Sequence, residues 1–119
     1  MTNKKSFMKN PEIFLKHILD SITEIEKYTN NLDAKQFYKT TQTQDAVIRR
    51  LEIIGEAVKN LSKPFRNNHP NTPWPKIAGM RDILIHDYFG VDLILVWKIV
   101  IKELPKLKQQ ISNILKKLS

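Results

Sequence analysis

Cysteine is absent from this sequence of 119 residues, and glycine occurs only three times. Without cysteine the chain has no disulfide and no thiolate metal ligand, which fits a reducing compartment. Scarce glycine leaves little material for the tight turns of a β-sandwich or β-barrel. The polar segment of residues 1–10 lacks the apolar stretch of a signal peptide. These absences favour a helical protein, and we expect it in the cytoplasm.

Long apolar runs are also missing. The longest, Leu93–Trp97, is followed by Lys98 and is far too short to cross a membrane. The three histidines are widely separated, and neither ligand-spaced carboxylates nor a Gly-rich phosphate loop is present. The sequence therefore predicts no metal, no cofactor and no nucleotidyltransferase activity of its own. His17 lies among apolar neighbours and is expected to be packed or on the surface.

The charge that is present is mostly positive. Lysine and arginine exceed the acidic residues to give a formal net charge of +8 and a pI near 9.8. A field of this sign attracts polyanions, of which nucleic acids are the commonest in a cell. The alternative is a solvated, lysine-rich surface, and charge alone does not separate the two interpretations.

Apolar residues recur at helical spacing through most of the chain. They predict a first helix that begins at Asn10 and Pro11 and ends near Thr29. Asp33 is a candidate cap for a short second helix. A polar linker is expected over Thr40–Gln44, and a third helix begins at Thr43 or Asp45 with its apolar face on Val47, Leu51, Ile54, Val58 and Leu61.

Proline marks the second half of the chain. Four prolines within Ser62–Pro75 predict a loop without regular helix, whose Arg66, His69 and Trp74 could line a site. A fourth helix is expected from Pro75 to about Asp87, with Gly90 as its terminator. A fifth helix follows the Asp92 cap, Pro105 breaks or kinks it, and an amphipathic tail ends the chain. The prediction is one all-α domain over residues 1–119, an up-and-down four-helix bundle with additional short helices.

One cluster of polar residues is not explained by a solvated helix face. Arg81, Asp82, His86 and Tyr88 lie close to a glycine. On an ideal helix Arg81 and His86 project about 140° apart. They can converge if the helix unwinds near Gly90, or if two copies of the chain meet, which is the more economical solution. Asp82 and His86 share a face, so Asp82 could orient the imidazole.

The groups in this cluster suffice for cleavage of RNA without a metal. Histidine can take a proton from the 2′-hydroxyl, and arginine can stabilise the charge that develops on the phosphate. DNA lacks that hydroxyl, so the substrate would be RNA. By spacing alone, however, an arginine in an ion pair and a histidine capping a helix end is the commoner arrangement.

Several stretches taken in order resemble the HepT toxins of the HEPN superfamily. They are Ala46–Ala57, Pro73–Trp74 leading into Ile77–Arg81, Ile85–Tyr88, and Val91–Asp92 with Val96–Trp97 beyond. The resemblance implies a HEPN helical bundle that forms a homodimer. It also implies an R-x4-H-x-Y signature, with Arg81 and His86 as catalytic residues and Tyr88 as its tyrosine. Asp82 stands where asparagine is common.

The resemblance further implies a function. Such proteins are the toxin components of type VII-like HEPN/MNT toxin–antitoxin systems, and they are ribonucleases for which tRNA is a candidate substrate. An MNT-type minimal nucleotidyltransferase acts as the antitoxin and transfers AMP to the signature tyrosine, here Tyr88. Glu52 and Glu56 also belong to the resemblance. Our hypothesis is that one of them pairs with Arg49, Arg50 or Arg81 and positions the motif; a solvated carboxylate is the alternative.

Two other functions compete with the nuclease. The chain could be a non-catalytic subunit that binds a nucleotide or RNA and recognises substrate for a nucleotidyltransferase, in which case binding occurs without turnover. It could also be a structural adaptor that docks through the amphipathic helix Leu107–Leu118. An adaptor needs no cluster of arginine, histidine and tyrosine, so a neighbouring nucleotidyltransferase gene would argue against it.

Overall fold

The computed structural model describes residues 10–86 and 92–118, with the backbone alone for Arg81 and residues 83–86. The described helices, in chain order, are α1 (Pro11–Thr29), α2 (Ala34–Lys39), α3 (Thr41–Lys59), α4 (Lys63–Asn67), α5 (Trp74–His86), α6 (Leu93–Lys98) and α7 (Leu104–Leu118). A π-helical turn, Ile99–Glu103, joins α6 to α7. No strand occurs in these two ranges, and the predicted all-α fold is confirmed.

Side-chain caps start the helices where the sequence predicted them. The Asn10 side chain accepts a hydrogen bond from the Glu12 backbone N–H at 3.0 Å, and Pro11 occupies the first turn of α1. Asp33 forms a reciprocal capping box with Gln36. The Asp92 carboxylate accepts from the Leu95 N–H at 3.1 Å and caps α6. Each cap satisfies a backbone donor that has no partner within its helix.

The apolar faces of the helices meet in one core. Helix α1 packs mainly against α3 and α7, and α3 also packs against α5. Phe37 of α2 lies 5.0 Å from Trp97 of α6, measured between ring centroids, so the two short helices pack against each other through these rings. The fully buried apolar side chains are Leu15, Ile18, Ile22, Ile25, Phe37, Val47, Leu51, Ile54, Val58, Val96 and Ile111. The predicted apolar stripes of the first and third helices supply most of them.

The predicted polar linker over Thr40–Gln44 is wrong, because α3 already begins at Thr41. The Gln44 side chain donates a hydrogen bond to the Phe37 carbonyl at 2.8 Å, which ties the first turn of α3 to the end of α2. The polar residues Thr41–Gln44 form the first turn of α3, directly after the end of α2. Their polarity therefore reflects position on the surface and not irregular structure.

The expected loop without regular helix over Ser62–Pro75 is also wrong. Within this segment the chain forms α4, where Pro64 lies in the first turn and the Ser62 hydroxyl accepts from the Phe65 N–H at 3.2 Å. A first-turn proline loses no helical hydrogen bond, so it starts a helix without strain. Of the two outcomes expected at Pro105, a break or a kink, the break does not occur: a wider π turn precedes Pro105, in which the Leu104 N–H bonds the Ile99 carbonyl, and α7 continues beyond it.

The predicted end of the fourth helix at Asp87 and its terminator Gly90 lie outside the described residues. Among the helices described, none is long and apolar enough to cross a lipid bilayer.

Candidate functional site

The predicted motif lies on the C-terminal half of α5. Arg81, Asp82 and His86 all belong to this helix, whereas Tyr88 falls outside the described residues. The backbone is α-helical without interruption from Trp74 to His86. On such a helix Arg81 and His86 are offset by about 7.5 Å along the axis and by about 140° around it. Unwinding between these two residues is therefore not what would bring them together.

Asp82 is held by a residue of another helix. Its Oδ1 atom accepts a hydrogen bond from Nζ of Lys59 at 3.3 Å, and about half of the Asp82 side chain is exposed. Lys59 is the last residue of α3, so the pair connects the end of that helix with the turn of α5 that carries Arg81. The role predicted for Asp82, orientation of the His86 imidazole, stays a prediction.

Glu52 and Glu56 line one groove between α1 and α3. The groove has a volume of about 370 Å³. Glu52 pairs with Arg49 one turn before it, at 3.6 Å between Oε2 and Nη1. The expected pairing of one of these glutamates with a nearby arginine is thus observed for Glu52. That the pair positions the motif is not tested by these contacts.

His17 lies in the same groove, a position that no local sequence pattern indicates. It is exposed on α1, with its ring edge-to-face against Phe14 at 6.4 Å between centroids. The groove places its imidazole on the surface shared with Arg49, Glu52 and Glu56. Only the packing of α1 against α3 brings these groups together, and no local pattern encodes that packing.

The proline-rich segment packs with itself. The indole N–H of Trp74 donates to the His69 carbonyl at 2.9 Å, and Trp74 is almost completely buried. Phe65 lies 4.7 Å from the His69 ring and 6.3 Å from the Trp74 ring, between centroids. These contacts fix the start of α5, so His69 and Trp74 have a structural role where the sequence suggested that they line a site.

A second cleft lies between α5 and the helical segment that runs from α6 through the π turn into α7. Its volume is about 220 Å³, and its walls are mostly apolar. Lys76 of α5 donates to Glu103 of the π turn at 2.8 Å across its mouth. This hydrogen bond, with the charges of Lys106 and Lys98 nearby, holds the pKa of the Glu103 carboxyl below its ordinary value.

Among the side chains that the structure describes, which leave out that of His86, no three histidine or carboxylate groups lie close enough together to hold a metal ion. The charged and titratable groups on the described surface include lysines, arginines, the exposed His17, and carboxylates of which some are in ion pairs. These groups bind anions and exchange protons.

Comparison with known proteins finds similarity over most of the chain. A family model described as "Ribonuclease HepT-like" matches residues 18–114. A protein of Caldanaerobacter subterraneus subsp. tengcongensis named "Putative RNase TTE0752" is 46% identical over 110 residues, which cover 92% of this chain and 98% of that protein. The "Probable ribonuclease HepT" of Thermococcus cleftensis is 45% identical over 103 residues, or 87% of this chain and 94% of that one.

A longer relative contains the same region beside another. The Methanocaldococcus jannaschii protein named "Gamma-glutamylcyclotransferase and putative RNase MJ0434" is 52% identical over 110 residues, 92% of this chain, and the chain spans half of its length. No solved structure matches significantly. The matched region includes α5 with Arg81 and His86, all residues that line the second cleft, and the α3 side of the groove, whereas Phe14 and His17 of the groove precede it.

Proposed function

The chain belongs to the HepT-like ribonuclease family, and from this premise we propose that it cleaves RNA without a metal ion. The observation that carries the proposal is the family match over residues 18–114, which includes Arg81 and His86 on one helix. A basic chain with a net charge of +8 suits an RNA substrate. We propose tRNA as the candidate.

The two motif residues divide the chemistry between them. His86 takes the proton of a 2′-hydroxyl, whose oxygen attacks the adjacent phosphorus. The 5′-oxygen of the next nucleotide leaves with a proton from water, which yields a 2′,3′-cyclic phosphate and a 5′-hydroxyl. Arg81 donates to the phosphate oxygens and stabilises the negative charge that builds up on them. An imidazole near its ordinary pKa exchanges protons at neutral pH, so no metal-bound hydroxide is needed.

The geometry of α5 supports a site shared between two copies of the chain. Arg81 and His86 project about 140° apart on a regular helix. For both side chains of one copy to contact the same phosphodiester, at least one of them would have to extend around the helix. Two copies related by a twofold axis present the arginine of one and the histidine of the other to the same phosphate. The proposed active form is a homodimer with two such sites.

We further propose that the chain is the toxin of a toxin–antitoxin pair, regulated at Tyr88. The partner is an MNT-type nucleotidyltransferase. The Tyr88 phenol oxygen attacks the α-phosphate of ATP, pyrophosphate leaves, and the phenol proton is lost. The added AMP carries negative charge and bulk beside the motif helix, so it repels RNA and occupies the site.

Cleavage of RNA in EDTA tests the nuclease. The wild-type protein is expected to degrade RNA in the chelator, and His86→Ala is expected to lose this activity with an unchanged circular dichroism spectrum. His69→Ala is the matched control, because the His69 side chain packs beside Phe65 in the proline-rich segment. RNA that is bound but left intact by the wild type would favour the substrate-recognition subunit instead.

Intact mass tests the regulation. Expression with the neighbouring nucleotidyltransferase gene should add the mass of one AMP moiety to the wild type and none to Tyr88→Phe. Growth arrest should follow expression of the wild type alone and be relieved by the partner. An AMP adduct of equal yield on Tyr88→Phe would contradict the assignment of Tyr88.

A further inference from the structure

The cleft between α5 and α7, which we name the α5–α7 cleft, is an apolar slot with a charged mouth. Ile77 and Met80 of α5 line one side; the apolar residues that line the other side are Leu95 of α6, Ile99 of the π turn, and Leu104 and Leu107 of α7. Ile77, Met80 and Ile99 are otherwise largely buried in the core. The slot therefore opens directly onto the hydrophobic interior and has room for an apolar group.

The π turn forms part of this cleft. Ile99 and Glu103 are its first and last residues, and both line the cleft. A π turn inserts an additional residue per turn and widens the helix, and such turns are frequent at functional sites. Pro105 lies two residues beyond the last residue of the turn and has no backbone N–H to donate into it. The widened backbone is thus a consequence of the sequence at this position.

The mouth of the cleft carries net positive charge. Lys76, Lys98, Lys106 and Glu103 are its charged residues, three cations and one anion. Glu103 is bound to Lys76 at 2.8 Å. Lys98 and Lys106 are exposed and near enough to hold the pKa of the Glu103 carboxyl down. An anion that approaches the mouth meets these two lysines even when Glu103 is ionised.

The size of the cleft selects what enters it. An engineered protein cavity of about 150 Å³ holds a benzene ring, and this cleft measures about 220 Å³. It therefore accommodates one planar ring system of one or two rings. A flat ring with apolar faces and polar edges, attached to anionic phosphates, describes a nucleotide.

We propose that the α5–α7 cleft takes one unstacked base of the RNA substrate, with the neighbouring phosphates at Lys98 and Lys106. Sequence-dependent recognition of RNA commonly uses bases that are splayed out of a single strand into a pocket. Met80 lines the cleft and directly precedes Arg81, so the cleft and the motif share α5. The bound base would belong to a nucleotide near the cleaved bond. This inference rests on the proposed ribonuclease function.

Binding of uncleavable RNA tests the inference apart from catalysis. The probe is a fluorescein-labelled ten-nucleotide RNA with 2′-O-methyl groups throughout, which removes the attacking hydroxyl. A series with a single abasic site at each position is compared with the intact probe by fluorescence anisotropy. Loss of one pocketed base should weaken binding by about fivefold or more at one position. The other positions should show little change.

Two kinds of variant connect that position with the cleft. Leu95→Trp fills the slot and should make the intact and abasic probes bind alike. Lys98→Glu with Lys106→Glu should weaken binding of every probe by about tenfold through the lost phosphate contacts. Lys35→Glu with Lys117→Glu makes the same charge change on exposed lysines of α2 and α7, and it should have a much smaller effect. Circular dichroism checks the fold of each variant.

Equal affinity of the wild type for the intact probe and for every abasic probe would overturn the inference and leave the cleft to a protein partner. So would equal effects of the two pairs of lysine variants. The failure of the nuclease proposal is distinguishable, because it would appear as RNA that stays intact in EDTA, whatever the abasic series shows. If the wild type cleaves RNA in EDTA but its affinity does not depend on any base of the probe, the nuclease proposal stands and this inference alone is wrong.

Discussion

Lys59 Nζ lies 3.3 Å from Asp82 Oδ1, so an ion pair joins the last residue of α3 to the residue that follows Arg81. Both side chains are more than a third exposed, and a pair of this kind contributes at most about 1 kcal/mol to stability. Its importance is one of position. The pair attaches the turn of α5 that carries Arg81 to the end of α3. Its carboxylate belongs to Asp82, four residues before His86.

Replacement of Asp82 by asparagine separates the effect of the carboxylate on His86 from the effect of the ion pair on the attachment of α5 to α3. A carboxylate that faces the His86 imidazole favours the protonated form of the ring. Asp82→Asn should then shift the acidic limb of the pH–rate profile for RNA cleavage to lower pH, with little change in unfolding free energy. Lys59→Ala is the control, since it breaks the same ion pair and leaves the carboxylate. Superimposable profiles for Asp82→Asn and the wild type would remove Asp82 from the site.

The Lys76–Glu103 pair predicts a pH-dependent contribution to stability. The hydrogen bond from Lys76 lowers the pKa of Glu103 in the folded state. The stabilisation is therefore present above the unfolded-state pKa and is lost as the pH falls through the folded-state pKa. Glu103→Gln should reduce the unfolding free energy at pH 7 by less than about 1 kcal/mol, because the pair is exposed.

Urea unfolding at neutral pH and at about pH 3 measures this effect. The difference between Glu103→Gln and the wild type should shrink in acid, where the wild-type carboxyl becomes protonated. Lys76→Gln should show the same loss at neutral pH, and the double variant should add little to it. A difference that is the same at both pH values would mean that lost packing, and not the ion pair, accounts for it.

The burial of Ser21 on α1 leads us to expect that the fold tolerates Ser21→Ala. It is 1% exposed, and its hydroxyl has no hydrogen-bond partner within the described part of the chain. A buried hydroxyl without a partner has lost its hydrogen bonds to water and has formed none within the protein. Ser21→Ala should therefore leave the unfolding free energy unchanged or raise it by up to about 1 kcal/mol.

Thr29→Ala is the contrast for that substitution. The Thr29 hydroxyl is also buried, but it donates to the Ile25 carbonyl at 2.8 Å. Its removal should lower the unfolding free energy by about 1 kcal/mol. Thermal and urea unfolding of both variants provide the comparison. An equal loss in both would show that the Ser21 hydroxyl has a partner after all.

The features that the sequence predicted are those that depend on neighbouring residues. The caps at Asn10, Asp33 and Asp92 each bond a backbone N–H two or three residues ahead, and their local sequence is sufficient to form them. The apolar stripe of α1 is visible for the same reason, because its period of three to four residues is a property of one helix.

The features that it did not predict depend on context. The sequence predicts a loop around Pro64 and a break or a kink at Pro105, yet Pro64 lies in the first turn of α4 and Pro105 follows a π turn in a helical run that continues. Proline excludes a hydrogen bond, and whether that ends a helix depends on where the turn begins. His17 joins Glu52 and Glu56 only through the packing of α1 against α3, and the α5–α7 cleft joins residues of helices distant in sequence.

Mixed dimers test the shared active site most directly. Arg81→Ala and His86→Ala chains with different tags are expressed together, and dimers that carry both tags are purified and assayed for RNA cleavage. Each alone should be inactive. In a mixed dimer one site lacks both groups and the other has both, so the account predicts about half the wild-type rate. Mixed dimers as inactive as the two parents would contradict a site built from Arg81 of one copy and His86 of the other.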